Sequence, residues 1–248
     1  MPAGGTVSDL YSVNADIYAA VSLPTLDAQL DALRSVVSAP LPGPIVEVAA
    51  GVGTALATLA ELTSDALYAV EPSVHMRVGL MTTVAGSESL RRRVTILPGT
   101  LGQMADRLPE QLGGIVVLNA LGHFEPAELE ALWGFAARRL VPGGQLVLGL
   151  QPPFGPVEIP WADFGECRIG ELTYRTAGTA SVTSDDMARW TMRWTILDAD
   201  GVEVERREAS TAWAVVGPQH VTEAARSVGL EPSAQREDAT MLSFRKPR

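Results

Sequence analysis

Through the first 150 residues, short apolar runs take turns with stretches of helical period, and this alternation restricts the fold more than any single residue does. Tyr11 to Ala20 fits a short helix, and Pro24 opens a second in which Leu26, Leu30, Leu33 and Val37 share one face. Pro40, Pro42, Gly43 and Pro44 end it, and the run Ile45–Val48 follows as a strand. A helix from Thr54 carries Leu56, Leu59 and Ala60. Ala66 to Val70 reads as the next strand, and Ser73 to Val84 as a helix capped by Ser73. Val94–Leu97 and Ile115–Leu118 are further strands, the latter apolar throughout, as a strand covered on both faces must be. Pro126 to Leu140 places Leu129, Leu132, Trp133 and Leu140 inward. The turn Val141-Pro142-Gly143-Gly144 then leads into a strand from Gln145 to Leu150. Five strands joined by helical crossovers predict an α/β chain built on a doubly wound, Rossmann-like parallel sheet.

After Leu150 the pattern changes. Residues 151–165 are rich in proline and glycine and read as a long loop bearing Trp161 and Phe164. From about 166 to 216 the sequence is β-rich: Trp190, Met192, Trp194 and Ile196 alternate with polar residues, and Asp198-Ala199-Asp200-Gly201 forms a hairpin turn. Gln219 to Val228 is helical, and Glu231–Arg236 and Thr240–Arg245 read as two strands around a Glu-Asp turn. The expected organisation is an N-terminal helical lid (1–43), a core (44–150), a loop and antiparallel β insertion over the site (151–216), and a helix and strand pair (217–248) that complete a seven-stranded sheet with an antiparallel C-terminal strand.

Charge narrows the partners. Against 19 Lys and Arg stand 29 Asp and Glu, a net charge of −10, which disfavours nucleic acid and anionic membrane surfaces, since both reward a basic face. Cys167, the one cysteine, rules out an internal disulfide and a cysteine-based zinc site; it reads as a small core or strand residue. No pair of histidines and carboxylates has metal-ligand spacing, so no metal is expected. With neither a signal-like start nor an apolar run of about 20 residues, the expected compartment is the cytoplasm.

Chemistry concentrates in Val46-Glu47-Val48-Ala49-Ala50-Gly51-Val52-Gly53-Thr54, where a buried strand turns into a helix. Glycine there lets a ligand approach the backbone, and the helix start beyond it offers unpaired N–H groups. Twenty residues after Gly51 comes Glu71, placed to accept from both hydroxyls of a ribose, or else to serve as a helix-capping acid. Glycine turn and acid together point to an adenosine-containing ligand. A dinucleotide would need a third glycine where this chain has Leu56, so NAD and FAD are disfavoured.

In this layout the chain resembles the class I S-adenosylmethionine-dependent methyltransferases, over most of its length. Glu47 to Thr54 looks like their glycine loop, and Tyr68-Ala69-Val70-Glu71-Pro72-Ser73-Val74-His75-Met76 is similar to their ribose motif. Leu97-Pro98-Gly99-Thr100-Leu101 occupies the adenine side, Gly114 to Phe124 looks like the fourth-strand motif, and Leu140-Val141-Pro142-Gly143-Gly144 matches the turn before the fifth strand. Two departures stand out: Ala49 replaces the first glycine of the loop, and Thr100 stands where an aspartate commonly accepts from the adenine amine, which leaves the adenine to a backbone carbonyl or Gln103.

The resemblance implies S-adenosylmethionine as cofactor and S-adenosylhomocysteine as product. It implies cofactor contacts from Glu47, Ala49, Ala50, Gly51 and Gly53 in the loop, from Glu71, Pro72 and Met76, from Thr100 and Leu101, and from Asn119, Ala120 and Leu121. Tyr11 and Tyr18, seven residues apart, resemble the N-terminal tyrosines that cover the cofactor in small-molecule members. His123 is the candidate base and acceptor contact, with Trp161 and Phe164 as candidate acceptor lining. Among family members the insertion is most like those of amino-sugar N,N-dimethyltransferases and peptide-tailoring amine methyltransferases, which implies methyl transfer to an amine of a small molecule or peptide and allows a homodimer. O-methylation, or cofactor binding without transfer, are the alternatives. Arg91-Arg92-Arg93 reads as a solvated helix end, and Trp190 and Trp194 as core.

Overall fold

A computed structural model of the protein describes residues 8–37, 40–235 and 240–248. Two helices come first, α1 (Ser8–Asn14) and α2 (Tyr18–Val36), then β1 (Ile45–Val48), α3 (Leu56–Leu62), β2 (Leu67–Val70), α4 (Val74–Gly86), α5 (Glu88–Arg93), β3 (Val94–Leu97) and α6 (Leu101–Met104). β4 (Leu112–Leu118), α7 (Pro126–Arg139) and β5 (Leu140–Gly149) complete the parallel part. The insertion is four long strands, β6 (Ile159–Ile169), β7 (Leu172–Ser184), β8 (Met187–Leu197) and β9 (Glu203–Ala214); α8 (Pro218–Ser227), β10 (Glu231–Gln235) and β11 (Met241–Arg245) follow.

The main sheet has the order β10-β11-β5-β4-β1-β2-β3, with β11 antiparallel to β5 and β10 antiparallel to β11, as the sequence predicts. Its inner strands β1, β4 and β5 are buried on both faces, and their alternation sorts the core. Val46, Val48, Ile115 and Val117 face one cluster with Trp133, Phe135 and Val221. Ile45, Val116 and Val147 face the other, with Leu33, Leu56 and Leu80. Strand order reverses between β1 and β4, so the crevice where ligands settle in open α/β sheets opens above their carboxyl ends. The predicted turn at 141–144 is an irregularity within β5: two residues of β4, Leu112 to Gly114, span the same distance as Leu140 to Gln145.

Several predicted boundaries move. The first helix is not continuous from Tyr11 to Ala20; it ends at Asn14, and the second begins at Tyr18. Pro24 does not open α2 but lies within it. A proline there removes the N–H that would bond the carbonyl four residues back, which is Ala20. That carbonyl instead accepts from Cys167 Sγ of β6 at 2.9 Å, so the break in the ladder becomes a tie to the insertion. Trp161 and Phe164 are not in a loop, because β6 already starts at Ile159. The helix end expected at Arg91-Arg92-Arg93 is that of α5, a short helix separate from α4. Its Arg92 pairs with Glu88, and Arg93 donates to the carbonyls of Ala60, Thr63 and Asp65. The Glu-Asp turn between the last two strands lies outside the described residues.

The antiparallel sheet, in the order β6-β7-β8-β9, lays one face on the N-terminal helices. Trp194 and Ile196 of β8 form a small cluster with Ile17, against which Tyr11, Val13 and Tyr174 pack. Arg207 of β9 donates to the Val13 carbonyl at 2.9 Å and to Asp16 at 2.6 Å. No helix among the described residues is long and apolar enough to cross a membrane.

Candidate active site

Above β1 and β4 lies a cavity of about 790 Å³, within the size range of small-molecule sites. The glycine loop forms its floor. Ala49, Gly51 and Gly53 all have positive φ, at 57°, 58° and 82°. Ala50 N–H donates to the Val70 carbonyl, and Thr83 Oγ1 of α4 donates to the Val52 carbonyl at 2.8 Å, so the loop is pinned on both sides. Gly53 does not reach the cavity. A Cβ there would meet Leu80 at 2.7 Å and Leu56 at 3.0 Å, so its smallness serves the packing of α3 and α4 beneath the loop.

Glu71, at the end of β2, is buried and fully engaged. One carboxylate oxygen accepts from Gly51 N–H at 2.8 Å and the other from Ser73 N–H at 2.7 Å. Burial raises its pKa, while the Ser73 and Gly51 N–H groups and Arg77 work in the opposite direction. It therefore ties the loop to the start of α4, and each carboxylate oxygen keeps a lone pair beyond the one bond it accepts. The structural and the ligand-binding readings of Glu71 are compatible. Ser73 caps α4 by accepting from Met76 N–H, as predicted.

The structure brings twelve of the predicted residues to the cavity: Tyr11, Tyr18, Ala49, Gly51, Glu71, Pro72, Met76, Thr100, Leu101, Asn119, Ala120 and His123. Glu47 and Ala50 are buried behind it, and Leu121 turns down into the core beneath β4. Trp161 and Phe164 do not line it. Trp161 stacks under the Arg193 guanidinium at 4.1 Å, and Phe164 meets Trp190 edge-on at 5.8 Å, both on the antiparallel sheet. His220 is exposed on α8. Thr100 is the N-cap of α6 in a capping box: it accepts from Gln103 N–H, and Gln103 Oε1 accepts from Thr100 N–H at 2.9 Å. That bond fixes the Gln103 amide at the wall of the cavity.

Sequence reasoning missed the wall that α7 supplies. Ala127, Ala131, Phe135 and Arg138 fall at spacings of four, four and three and line the cavity. A stripe of small side chains on an otherwise amphipathic helix was the available signal.

His123 follows β4 in a tight 3-10 turn, Leu121–His123. Its Nε2 is 2.8 Å from Tyr11 Oη, and its ring meets Trp213 of β9 edge-on at 4.5 Å. Gly122 makes that approach possible, because any Cβ there would overlap the Trp213 ring. Burial lowers the His123 pKa to about 4. Burial, with Tyr18 and Glu71 nearby, raises that of Tyr11. Neutral imidazole and neutral phenol are thus the forms present near pH 7, and one hydrogen bond joins Tyr11 Oη to His123 Nε2, its donor set by the imidazole tautomer. Tyr11 and Tyr18 lie on separate helices, yet their rings meet at 6.0 Å. Among the described residues no group of three ligating side chains gathers in a way that could hold a metal ion.

No protein-family model and no curated protein sequence matches the chain. Solved structures do. DesVI from Streptomyces venezuelae aligns with a TM-score of 0.74 at 16% identity, covering 97% of this chain and 99% of that one. The sugar N-methyltransferase KedS8 from Streptoalloteichus sp. gives 0.70 at 19% identity, covering 100% and 97%. SAM-bound CalS10, an amino pentose methyltransferase from Micromonospora echinaspora, gives 0.68 at 17%, covering 90% of each. At these identities the likeness is one of fold, and the fold of this chain is the Rossmann-like methyltransferase fold of these structures.

Proposed function

We propose that the protein is an S-adenosylmethionine-dependent methyltransferase acting on an amine nitrogen of a small molecule, either an amino sugar or a peptide natural product. The observation that carries this reading is the meeting of the Gly51 N–H, the Glu71 carboxylate and the lid tyrosines around one cavity at the switch point of the sheet. The residues fit the cofactor. Gly51 leaves open space toward Tyr18, since a Cβ there would find only the Tyr18 ring, at 4.0 Å. Glu71 suits a ribose diol, Met76 an adenine face, and the Gln103 amide a purine edge. Bound there, S-adenosylmethionine supplies a methyl group already activated on a sulfonium, so the protein chiefly has to align an acceptor lone pair and exclude water. The fold neighbours that are described as a sugar N-methyltransferase and an amino pentose methyltransferase support an amine acceptor.

The Tyr11–His123 pair would hold that amine. A pKa of about 4 keeps His123 neutral, so its Nε2 would accept a hydrogen bond from the Tyr11 phenol, which keeps its proton, and the phenol oxygen would accept an N–H of the acceptor. That contact turns the nitrogen lone pair toward the methyl group, and the surplus proton of the methylated amine leaves with water. His123 is thus a positioning residue acting through Tyr11, and the geometry favours nitrogen over oxygen because a hydroxyl acceptor would need a stronger base.

The test is calorimetric titration with S-adenosylhomocysteine. Native protein should bind, and Glu71→Ala should lose about 2–3 kcal/mol, or roughly 30- to 150-fold in affinity. Absence of binding by folded native protein sinks the reading.

A further inference from the structure

The imidazole of His123 is held in an unfavourable setting, and the residue that holds it comes from the insertion. Its Nε2 is 2.8 Å from Tyr11 Oη, while Nδ1 is buried with no partner among the described residues. A buried ring nitrogen without a partner is destabilising, and a ring free to turn would carry that nitrogen to water. Trp213 of β9 stands against such a turn, its ring edge-on to the imidazole at 4.5 Å, within the range of favourable aromatic pairs. Space for the indole is left by two small residues. At Gly122, next to His123, a Cβ would lie 1.9 Å from Trp213 Cε2, and the residue paired with Trp213 across the sheet is the buried Ala188. The strand is anchored directly beyond: Ala214 and Val216 are buried in the same cluster as Leu121 of the His123 turn. His123 and Tyr11 line the cavity, whereas Trp213 stands behind them. The succession of rings continues from His123 to Tyr11 at 5.5 Å and on to Tyr18 at 6.0 Å, which lies over the open side of Gly51. Four rings from four elements thus reach from the insertion to the glycine loop.

Resting on the reading of the site above, we infer that Trp213 is a positioning residue: seated between Gly122 and Ala188, it fixes the His123 ring in one orientation and, through the bond to Tyr11, keeps the two tyrosines over the cavity. The insertion then acts on the site from behind, through His123, without touching a ligand. Removing the indole frees the imidazole to turn Nδ1 to water, which breaks the bond to Tyr11 and lets a bound ligand leave sooner. A phenyl ring can still meet the imidazole edge-on, so phenylalanine should serve at this position and leucine should not.

The experiment records the ring nitrogens of histidine-labelled protein by NMR near neutral pH, with His123 assigned among the 3 histidines by the signals lost in His123→Asn. Native protein and Trp213→Phe should show His123 in a single tautomer, its two nitrogens well separated, whereas Trp213→Leu should show them averaged by exchange between tautomers. Gly122→Ala, which displaces the indole from the other element, should average them likewise, and it decides the matter should Trp213→Leu fail to fold. Release of S-adenosylhomocysteine, followed by stopped flow, should be about tenfold faster in Trp213→Leu and Gly122→Ala and within about twofold of native in Trp213→Phe. A single tautomer in folded Trp213→Leu or Gly122→Ala, averaging in Trp213→Phe, or averaging without faster release overturns the inference. So does unfolding of both disruptive variants, which would make Trp213 a structural residue. Native protein that binds no S-adenosylhomocysteine overturns the cofactor reading instead, and the nitrogen spectra then still decide whether Trp213 fixes His123.

Discussion

The two sheets of this protein hold their functional groups by opposite means. At the edge of the seven-stranded sheet, Glu71 is fixed by backbone N–H groups at 2.8 and 2.7 Å, and the glycine loop by main-chain bonds and the Thr83 hydroxyl. The four-stranded sheet holds the N-terminal helices by its side chains: the Ile17, Trp194 and Ile196 cluster, Arg207 on Asp16, and Cys167 on the Ala20 carbonyl. Its outward face carries pairs such as Arg193–Glu208 and Arg175–Glu166, which are exposed to solvent and worth little each. Backbone geometry thus builds the part where the proposed cofactor would sit, and side-chain packing builds the part proposed to meet the acceptor. The second is the easier to remodel by substitution.

The largest expected effect breaks that contrast directly. Trp194, 3% exposed, is the largest buried side chain between the antiparallel sheet and the N-terminal helices. Trp194→Ala should cost about 3–5 kcal/mol by transfer and cavity terms. Hydrogen exchange should show the loss concentrated in β6 to β9 and α1, with β1, β4 and β5 keeping their protection, since no member of the cluster belongs to the main sheet. Equal loss across both sheets would mean that they unfold as one unit and that the division drawn above has no energetic content.

The seam between the two regions is His123, which touches Tyr11 of α1 and Trp213 of β9 from the turn after β4. Its folded pKa of about 4 lies below the ordinary value of 6.5. The neutral form is therefore favoured in the fold: the stability is fully present above about pH 6.5 and is lost as pH falls through 4. Denaturant titrations should show a loss on the order of 2 kcal/mol between pH 7 and pH 5 attributable to this residue. His123→Asn, compared over the same range, should lack that component. If wild type and variant respond alike to acid, the imidazole is not held neutral at the seam.

The same contrast explains what was legible in the sequence. The succession of strands along the chain, the turn that follows β1 and the Ser73 cap are local patterns, written in periodicity and in the residues that a turn demands, and the structure places them as read. Gly53 was misassigned because a loop glycine can serve a ligand or a neighbouring helix, and only the positions of Leu56 and Leu80 decide which. Trp161 and Phe164 were read as loop because prolines at 152, 153, 156 and 160 mask a strand that already begins at Ile159. The Tyr11–His123 bond joins residues 112 positions apart, and no local pattern announces it. Pro24 shows the converse, a strong local rule overridden because Cys167, far along the chain, takes the carbonyl it leaves free.

The smallest effect tests whether the backbone-built edge carries strain. Ala49 sits at φ 57°, where an alanine Cβ crowds its own carbonyl, and Asn119 at φ 54° is of a type that tolerates the region better. The left-handed conformation costs a non-glycine residue about 1–2 kcal/mol. Glycine returns roughly 0.5–1 kcal/mol of that through the greater freedom of its unfolded chain. Ala49→Gly should therefore stabilise the protein by about 0.5–1 kcal/mol, a rise of roughly 1–4 °C in Tm for a chain of this size. The affinity for S-adenosylhomocysteine should stay within about twofold, because the loop is already pinned at Ala50, Gly51 and Val52 and does not depend on residue 49 for its shape. A glycine variant that is less stable would mean that the alanine Cβ, half-buried and packed against the core below β4, contributes more than its backbone costs. The strain would then belong to the fold's accounts and not to the site's.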